Sequence, residues 1–169
     1  MDQKLFVLGG ARSGKSRYAQ ARAEAMPGEL IFIATAEALD EDMASRIERH
    51  RADRDARWRT VEAPLDIATV IADEARPGRV VLVDCLTLWA SNLLFAGRDI
   101  AAETEKLVAA VTQGAGTLIL VANEVGLGIV PDNALARQFR DAAGMINQAV
   151  AAAADEAVLL AAGLPIKLK

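Results

Sequence analysis

The chain has 169 residues, of which 53% are hydrophobic and 25% are charged. This composition excludes a disordered chain and favours one compact domain over residues 1–169 with a substantial core. Nineteen basic against 23 acidic side chains give a net charge of -4, so we expect no general attraction to nucleic acid. One cysteine, Cys85, and one histidine leave no internal disulfide and no structural zinc site.

The apolar segments at the two ends of the chain are short. The run at residues 5–8 meets Gly9 and Gly10 before it reaches the length of a signal-peptide core, and Asp155 interrupts the alanine-rich C-terminal segment. The sequence therefore predicts no membrane span and a cytoplasmic location.

Short aliphatic runs alternate with longer helical patterns along the chain. Strands are predicted at residues 4–8, 30–35, 80–84, 117–122 and 157–161, and a short segment at residues 166–168 follows Gly163 and Pro165. Helices are predicted to begin at Lys15, Leu39, Pro64, Leu86, Asp99 and Asp132, with Asp99 as a cap. Apolar strands separated by helices predict a doubly wound α/β fold, in which a mainly parallel sheet has helices on both faces. Ligands bind at the carboxyl ends of the strands in such folds.

A glycine-rich loop follows the first predicted strand. It consists of Gly9, Gly10, Ala11, Arg12, Ser13, Gly14, Lys15 and Ser16, which match the pattern G, four residues, G-K-S at the opening of a helix. In such a P-loop the glycines let backbone N–H groups face phosphate oxygens, and the helix adds its positive dipole end. We expect Lys15 to reach the β and γ phosphates and to act in catalysis.

The same pattern predicts a magnesium site. The Ser16 hydroxyl is one ligand that a P-loop offers to Mg²⁺, and Asp84, at the end of a buried strand, supplies the acidic second anchor. The alternative for Asp84 is a carboxylate that caps the helix beginning at Leu86, and Cys85 is interpreted as a packed residue. A switch GTPase is disfavoured, because the strand ending at Ala122 continues as Asn-Glu-Val-Gly and not into an N-K-x-D motif.

The segment 39–57 reads as one amphipathic helix that carries the histidine. At about 100° per residue, Leu39, Met43, Ile47 and His50 fall on one stripe. Arginines are concentrated here and just beyond, at Arg46, Arg49, Arg51, Arg54, Arg57 and Arg59. Taken separately, these features describe a buried core histidine and a solvated arginine face. Together they also fit a neutral imidazole that attacks a phosphate held by arginines, and the residues alone leave both interpretations open.

The motifs taken together resemble the bifunctional adenosylcobinamide kinase/adenosylcobinamide-phosphate guanylyltransferase family of cobalamin biosynthesis. The resemblance is carried by the P-loop, Ile-Ala-Thr at 33–35, Arg46-Ile47 with His50-Arg51, Trp-Arg-Thr-Val-Glu at 58–62, Asp-Cys-Leu-Thr at 84–87 and Asn-Glu-Val-Gly-Leu-Gly-Ile-Val-Pro at 123–131. It covers essentially the whole chain. The Arg-Ile-x-x-His spacing and the 123–131 run are specific in combination.

The resemblance implies two reactions. The family phosphorylates adenosylcobinamide with ATP or GTP, and then transfers GMP from GTP to adenosylcobinamide phosphate through a guanylyl-histidine, which falls on His50. Pyrophosphate and adenosylcobinamide-GDP are the products. The family also assembles as a homotrimer, and an interface or ordinary core packing would each account for Leu93, Leu94 and Phe95.

The resemblance also implies which residues bind GTP. Besides the P-loop, they are Ala34, Thr35, Ala36, Arg51, Ala52, Asp53, Arg54, Glu62 and Asp84. Glu62 would accept hydrogen bonds from guanine N1 and its amino group, a pattern that adenine does not offer. Without the family, Glu62 is equally well a strand residue facing solvent. Two other functions stay in competition: a single-activity P-loop kinase of small molecules, and a nucleotide-dependent regulatory module.

Overall fold

The computed structural model describes residues 2–169. These residues form β1 (Lys4–Gly9), α1 (Lys15–Glu24), β2 (Glu29–Ala34), α2 (Glu41–Ala52), β3 (Trp58–Glu62), α3 (Ile67–Glu74), β4 (Arg79–Asp84), α4 (Leu86–Phe95), α5 (Ile100–Gln113), β5 (Thr117–Asn123), α6 (Ala134–Ala153), β6 (Glu156–Ala161) and β7 (Leu164–Lys167). No helix in this part of the chain is long and apolar enough to cross a membrane.

The strands form one seven-stranded sheet in the order β3-β2-β4-β5-β1-β6-β7. All neighbouring pairs are parallel except β6 and β7, which form an antiparallel hairpin. From β1 the chain runs toward one edge of the sheet to form β2 and β3, and from β4 onward it runs toward the other edge. Only β5 separates β1 from β4 in the sheet. Loops after these strands therefore open a crevice at the carboxyl edge, where α/β proteins bind ligands.

Helices cover both faces of the sheet, since consecutive side chains of the central strands point to opposite faces and nearly all of them are buried. Phe6, Ile31 and Val81 point to one face, where they pack with side chains of α3, α4, α5 and α6. Leu5 and Val7 point to the other face and pack with α1. The predicted doubly wound, mainly parallel α/β fold is confirmed.

The arginine-rich helix is shorter than the sequence predicts. The pattern placed it at 39–57, whereas α2 covers Glu41–Ala52, because the Asp40 side chain accepts a hydrogen bond from the Met43 N–H at 2.7 Å and caps it. Leu39 precedes the helix and is 82% exposed, so it does not belong to an apolar stripe. Beyond Ala52 the chain turns, and Trp58 begins a strand beside Leu30.

The strand β3 has no counterpart among the predicted elements. Three other predicted boundaries also shift: the helix predicted from Pro64 begins at Ile67, and the one predicted from Asp132 begins at Ala134 after an Asn133 cap. The segment predicted at 166–168 overlaps β7, which begins earlier, at Leu164, and ends at Lys167. The Asp99 cap is confirmed, since its carboxylate accepts the Ala102 N–H at 3.0 Å.

Candidate functional site

The P-loop connects β1 to α1 at the carboxyl edge of the sheet. Gly14 precedes α1 with a φ of +90°, which is a left-handed conformation that favours glycine. The Lys15 side chain folds back over the loop, and its ammonium donates a hydrogen bond to the Gly10 carbonyl at 3.2 Å. The loop thus places a positive charge and the N-terminus of a ten-residue helix at the crevice, which is a site for phosphate.

The loop is braced from behind by neighbouring backbone. The Gly163 N–H, in the turn between β6 and β7, donates to the Ser13 carbonyl at 2.8 Å, and the Glu124 N–H donates to the Gly9 carbonyl at 3.0 Å. A Cβ at Gly9 would overlap the Ser13 hydroxyl oxygen and lie 3.0 Å from the Leu160 carbonyl. The packing therefore requires glycine at position 9 and fixes the loop against the sheet.

Asp84 ends β4 beside the start of α1. Burial raises the pKa of its carboxyl, while the Ser16 hydroxyl, which offers it a hydrogen bond, and the nearby His50, Lys15 and Arg54 side chains act in the opposite direction. The Ser16 and Asp84 oxygens are hard ligands of the kind that Mg²⁺ prefers. Residues 2–169 hold no cluster of three or more His, Cys, Asp or Glu side chains suited to a metal. A magnesium ion here would therefore complete its shell with phosphate oxygens and water.

The ends of β2 and β4 are tied together behind the site. Thr35 is completely buried, and its hydroxyl accepts the Cys85 N–H at 2.9 Å and donates to the Cys85 carbonyl at 2.8 Å. The Asn92 amide of α4 donates to the Thr35 carbonyl at 2.8 Å and to the Pro64 carbonyl at 2.9 Å. Thr35 therefore lies behind the wall of the site, where it positions Asp84 through the neighbouring residue.

A cavity of about 650 Å³ lies between the carboxyl edge of the sheet and α2. We call it the main cavity. The predicted site residues that line it are Ser16, Ala34, Ala36, His50, Arg51, Arg54, Glu62 and Asp84. Ser16 and Asp84 thus line the same cavity although they are 68 positions apart in the sequence. The predicted P-loop site requires this proximity.

His50 is an exposed residue near the end of α2. No residue of α2 is buried, and the imidazole has no hydrogen-bond partner within residues 2–169. The interpretation of His50 as a buried core histidine is therefore wrong. The imidazole instead lines the main cavity together with Ser16 and Asp84, so its nitrogens are accessible to a bound ligand.

A second groove lies on the other side of His50, between α1 and α2. It has a volume of about 470 Å³, and we call it the α1–α2 groove. Besides Ser16 and His50, it is lined by Arg17, Gln20, Ala21, Glu24 and Asp53. The predicted GTP ligand Asp53 thus lies on this groove and does not line the main cavity.

The six arginines do not form one patch. Arg46, Arg51 and Arg54 line the main cavity, whereas Arg57 forms an ion pair with Asp55 at 2.8 Å. Arg59 pairs with Glu29 at 3.2 Å and with Glu74 at 2.6 Å, on the far part of β3, and Arg49 lines neither cavity. Two of the six arginines therefore form structural ion pairs, and the three that line the main cavity remain available to a ligand.

Two of the cavity arginines have defined partners. Arg51 donates to the Glu62 carboxylate at 2.6 Å in an exposed ion pair. The Arg54 guanidinium carbon lies 3.7 Å from the centre of the Phe32 ring, in a cation–π contact. Burial, and then the neighbouring Arg51, lower the pKa of Arg54. Phe32 lines the main cavity, but in the sequence it is indistinguishable from the other apolar residues of a core strand.

The remaining predicted ligands differ in their placement. In the P-loop, Gly10 is half-buried and Ala11 and Arg12 are exposed, and Arg12 has a φ of +55°. Ala52 is exposed in the last turn of α2 and lines neither cavity. Asn92 and its bonds to Thr35 and Pro64 escaped the site prediction, because an asparagine inside an apolar helix carries no signal of which loops it joins.

The fold and the P-loop define a nucleotide-binding protein of the P-loop NTPase class. A solved ATPase from the type III secretion system of pathogenic bacteria superposes with a TM-score of 0.59 at 14% identity, over 93% of this chain and 50% of that one. The model of the family described as cobinamide kinase / cobinamide phosphate guanyltransferase matches residues 5–168. The chain belongs to this family.

Two curated relatives also match the chain over nearly its full length. The "Bifunctional adenosylcobalamin biosynthesis protein CobU" of Salmonella typhimurium is 43% identical, over 98% of this chain and 99% of the relative. The "Bifunctional adenosylcobalamin biosynthesis protein CobP" of Pseudomonas aeruginosa is 46% identical, over 97% of this chain and 96% of the relative. The resemblance seen in the sequence motifs is confirmed.

Proposed function

We propose that the protein carries out two successive reactions in adenosylcobalamin biosynthesis. It phosphorylates adenosylcobinamide with ATP or GTP, and it then transfers GMP from GTP to adenosylcobinamide phosphate through a guanylyl-histidine at His50. Membership of the family and the bifunctional names of the relatives support both activities. The observation that carries the histidine intermediate is the exposed imidazole of His50, without a protein partner in residues 2–169, on the same cavity as Ser16 and Asp84.

In the kinase step the P-loop holds the triphosphate of ATP or GTP. The substrate hydroxyl attacks the γ phosphorus, the bond between the γ phosphorus and the bridging oxygen breaks, and the hydroxyl proton is released. The Lys15 ammonium and the backbone N–H groups of residues 9–16 stabilise the negative charge that develops on the phosphoryl oxygens. Lys15 leaves its contact with the Gly10 carbonyl when it binds phosphate.

In the guanylyl step an imidazole nitrogen of His50 attacks the α phosphorus of GTP and pyrophosphate leaves. Arg46, Arg51 and Arg54 line the cavity on the same side as His50 and neutralise the phosphates. The acceptor phosphate then attacks the guanylyl phosphorus, so that the P–N bond breaks and the imidazole is regenerated. Adenosylcobinamide-GDP is the product.

Ser16 and Asp84 would hold a magnesium ion in both steps. When bound, Mg²⁺ supplies positive charge that binds and orients the phosphates and stabilises the leaving group. The two oxygen ligands that the P-loop and β4 bring together support this proposal.

Glu62 lies at the rim of the main cavity, where it would recognise guanine. Its carboxylate is exposed and bound only by Arg51 among residues 2–169, so one oxygen remains available to accept from guanine N1 and the amino group. This contact would favour GTP over ATP in the guanylyl step.

We also infer a homotrimer. Leu93 is buried in the core, so ordinary packing accounts for it, but Phe95 is 77% exposed. Leu127 and Ile129, in the loop after β5, are exposed as well. A subunit interface would cover these apolar side chains, and sedimentation equilibrium would return three times the mass of 17.9 kDa if the inference is right.

The test of the histidine intermediate uses labelled GTP. The purified protein is incubated with Mg²⁺ and GTP labelled on the α phosphate, denatured, and assayed for label that is labile in acid and stable in alkali. We expect label on the wild type, none on His50→Asn, and none from γ-labelled GTP. The His50→Asn variant should still phosphorylate adenosylcobinamide, which shows that it folds. Equal labelling of His50→Asn would exclude His50, and absence of label on a wild type that binds GTP would leave a single-activity kinase.

A further inference from the structure

In the function proposed above, the triphosphate of GTP lies in the main cavity, and of the predicted GTP ligands only Ser16 and Asp53 line the α1–α2 groove. The main cavity already provides the three arginines, Glu62 and Asp84. The two cavities share only two of their lining residues, Ser16 and His50. The groove therefore adjoins the main cavity at the two residues where the proposed chemistry takes place.

The acceptor has to reach two different phosphorus atoms from one binding site. In the first step its hydroxyl meets the γ phosphorus held at the P-loop, close to Ser16. In the second step its phosphate meets the guanylyl phosphorus from the side of Ser16, opposite the imidazole nitrogen of His50 that leaves. A ligand in the α1–α2 groove would lie against both Ser16 and His50. We propose, on the basis of the proposed function, that this groove is the subsite for adenosylcobinamide and its phosphate.

The walls of the groove fit a large ligand that carries amide groups at its periphery, as the corrinoid does. The Gln20 amide spans the groove, donating to the Glu24 carboxylate at 2.8 Å and to the Asp53 carbonyl at 3.2 Å. Its carbonyl oxygen accepts no hydrogen bond within residues 2–169, and neither does either carboxylate oxygen of Asp53. These oxygens would accept from the N–H groups of primary amides, whereas a groove for a second nucleotide would need a surplus of cations.

Arg17 is the only arginine or lysine that lines the groove. It follows Ser16 directly in the first turn of α1, and its side chain is exposed. The guanidinium forms no ion pair or hydrogen bond within residues 2–169. The reacting group of the acceptor is an uncharged hydroxyl in the first step and an anionic phosphate monoester in the second. Arg17 would therefore bind the acceptor phosphate in the second step and contribute little to the first.

The second step then proceeds between the two cavities. An oxygen of the acceptor phosphate attacks the guanylyl phosphorus from the groove, a P–O bond forms, and the P–N bond to His50 breaks. The electron pair of that bond returns to the imidazole nitrogen, so no further reactant is required. The product diphosphate then spans from the groove to the main cavity.

Two variants test the subsite. Arg17→Gln removes the charge of the groove, and Ala21→Trp fills it from an exposed position on α1. Arg76→Gln is the matched control, because Arg76 is exposed at the opposite edge of the sheet, before β4. Its guanidinium donates only to the Asp73 carbonyl among residues 2–169. Each protein is assayed for labelling of His50 by GTP without acceptor, for transfer of that label to adenosylcobinamide phosphate, and for the kinase step.

We expect all variants to be labelled by GTP at the wild-type rate, since neither residue lines the main cavity. In Arg17→Gln the KM for adenosylcobinamide phosphate should rise about tenfold or more, while the KM for adenosylcobinamide changes less than about twofold. In Ala21→Trp both values should rise about tenfold or more. Unchanged KM values in labelled Arg17→Gln and Ala21→Trp would overturn the subsite. Failure of wild type to become labelled would instead contradict the function on which it rests.

Discussion

The P-loop and α2 lie opposite each other across the main cavity, yet different forces hold them in place. The P-loop is fixed by buried backbone: Gly163 and Glu124 donate to its carbonyls, and the following helix buries Ala19 and Ala23 completely. In contrast, α2 has no buried residue. The phosphate site is thus part of the core, while the histidine is carried by an element attached at its surface.

The attachments of α2 lie near its C-terminal end. Arg51 pairs with Glu62, Arg54 packs on the Phe32 ring, and Gln20 donates to the Asp53 carbonyl. Elements with few buried apolar contacts open at lower free energy than the whole protein unfolds. On the proposed function, the phosphate site can therefore stay rigid while α2, which carries His50, adjusts to each substrate.

The largest expected effect distinguishes the P-loop from α2 by the reactions in which each takes part. Lys15→Met should slow both the kinase step and the labelling of His50 about 100-fold or more, because the ammonium acts on phosphate charge in each. His50→Asn should remove guanylyl transfer alone and leave the kinase rate within about twofold. Single-turnover assays of each step measure both variants. If Lys15→Met impaired only one step, the P-loop would not serve both reactions.

A second pair of variants compares the rigid loop with an ordinary helix. Gly14 has a φ of +90°, and an added Cβ would lie 3.2 Å from the Gly163 Cα, so Gly14→Ala should destabilise the protein by about 1–2 kcal/mol. Gly144 lies inside α6 with no atom within 4 Å of an added Cβ, so Gly144→Ala should stabilise by about 0.5–1 kcal/mol. Urea unfolding measures both. A destabilised Gly144→Ala would show that the two sites differ for another reason than backbone conformation.

The helix caps give a third comparison, with an expected effect of about 1 kcal/mol. Asp99 caps α5, which buries Leu107 and Val111, so Asp99→Ala should lower the free energy of global unfolding by that amount. Asp40 caps α2, so the same loss should appear mainly as local opening, seen in faster hydrogen exchange of residues 41–52. The melting temperature of Asp40→Ala should stay near that of the wild type. An equal loss of Tm in both variants would mean that α2 unfolds only with the rest.

The fold was predictable because strands buried on both faces of a parallel sheet appear in the sequence as continuous apolar runs. Runs of apolar residues marked β1, β2, β4, β5 and β6, and the glycines at 9 and 14 marked the turn into α1. The strand β3 was missed because it contains no buried apolar run: its residues are half-buried or exposed, as expected at an edge next to solvent. Its place in the sheet is decided by pairing with β2, which is a long-range contact that local pattern does not encode.

The site was predictable where one motif specifies a geometry. The P-loop fixes Lys15 and Ser16, and the strand end fixes Asp84, without knowledge of the rest. The arginines illustrate the limit, since Arg54 and Arg57 are only three residues apart but one lines the cavity and the other pairs with Asp55. Their separation depends on where α2 ends, and helical periodicity extended it by five residues too many.

The smallest expected effect contrasts the ion pairs that hold α1 and α2. Arg22 of α1 pairs with Glu156 of β6 at 3.0 Å with both side chains mostly buried, whereas Arg51 and Glu62 are largely exposed. Hydrogen bonding from Arg22 lowers the pKa of Glu156 below its ordinary value. A lowered pKa in the folded state stabilises the protein above the ordinary pKa, and this stabilisation is lost as the pH falls through the folded value.

Glu156→Gln should therefore lower the free energy of unfolding by about 0.5 kcal/mol at pH 7 and make less difference at an acidic pH below the folded-state pKa of Glu156. Glu62→Gln should not change it measurably at either pH, because solvent screens the exposed pair. Urea midpoints at the two pH values measure both. If Glu62→Gln were the more destabilising, α2 would be held to the sheet as firmly as α1, and the division between a rigid phosphate site and a loosely attached histidine would fail.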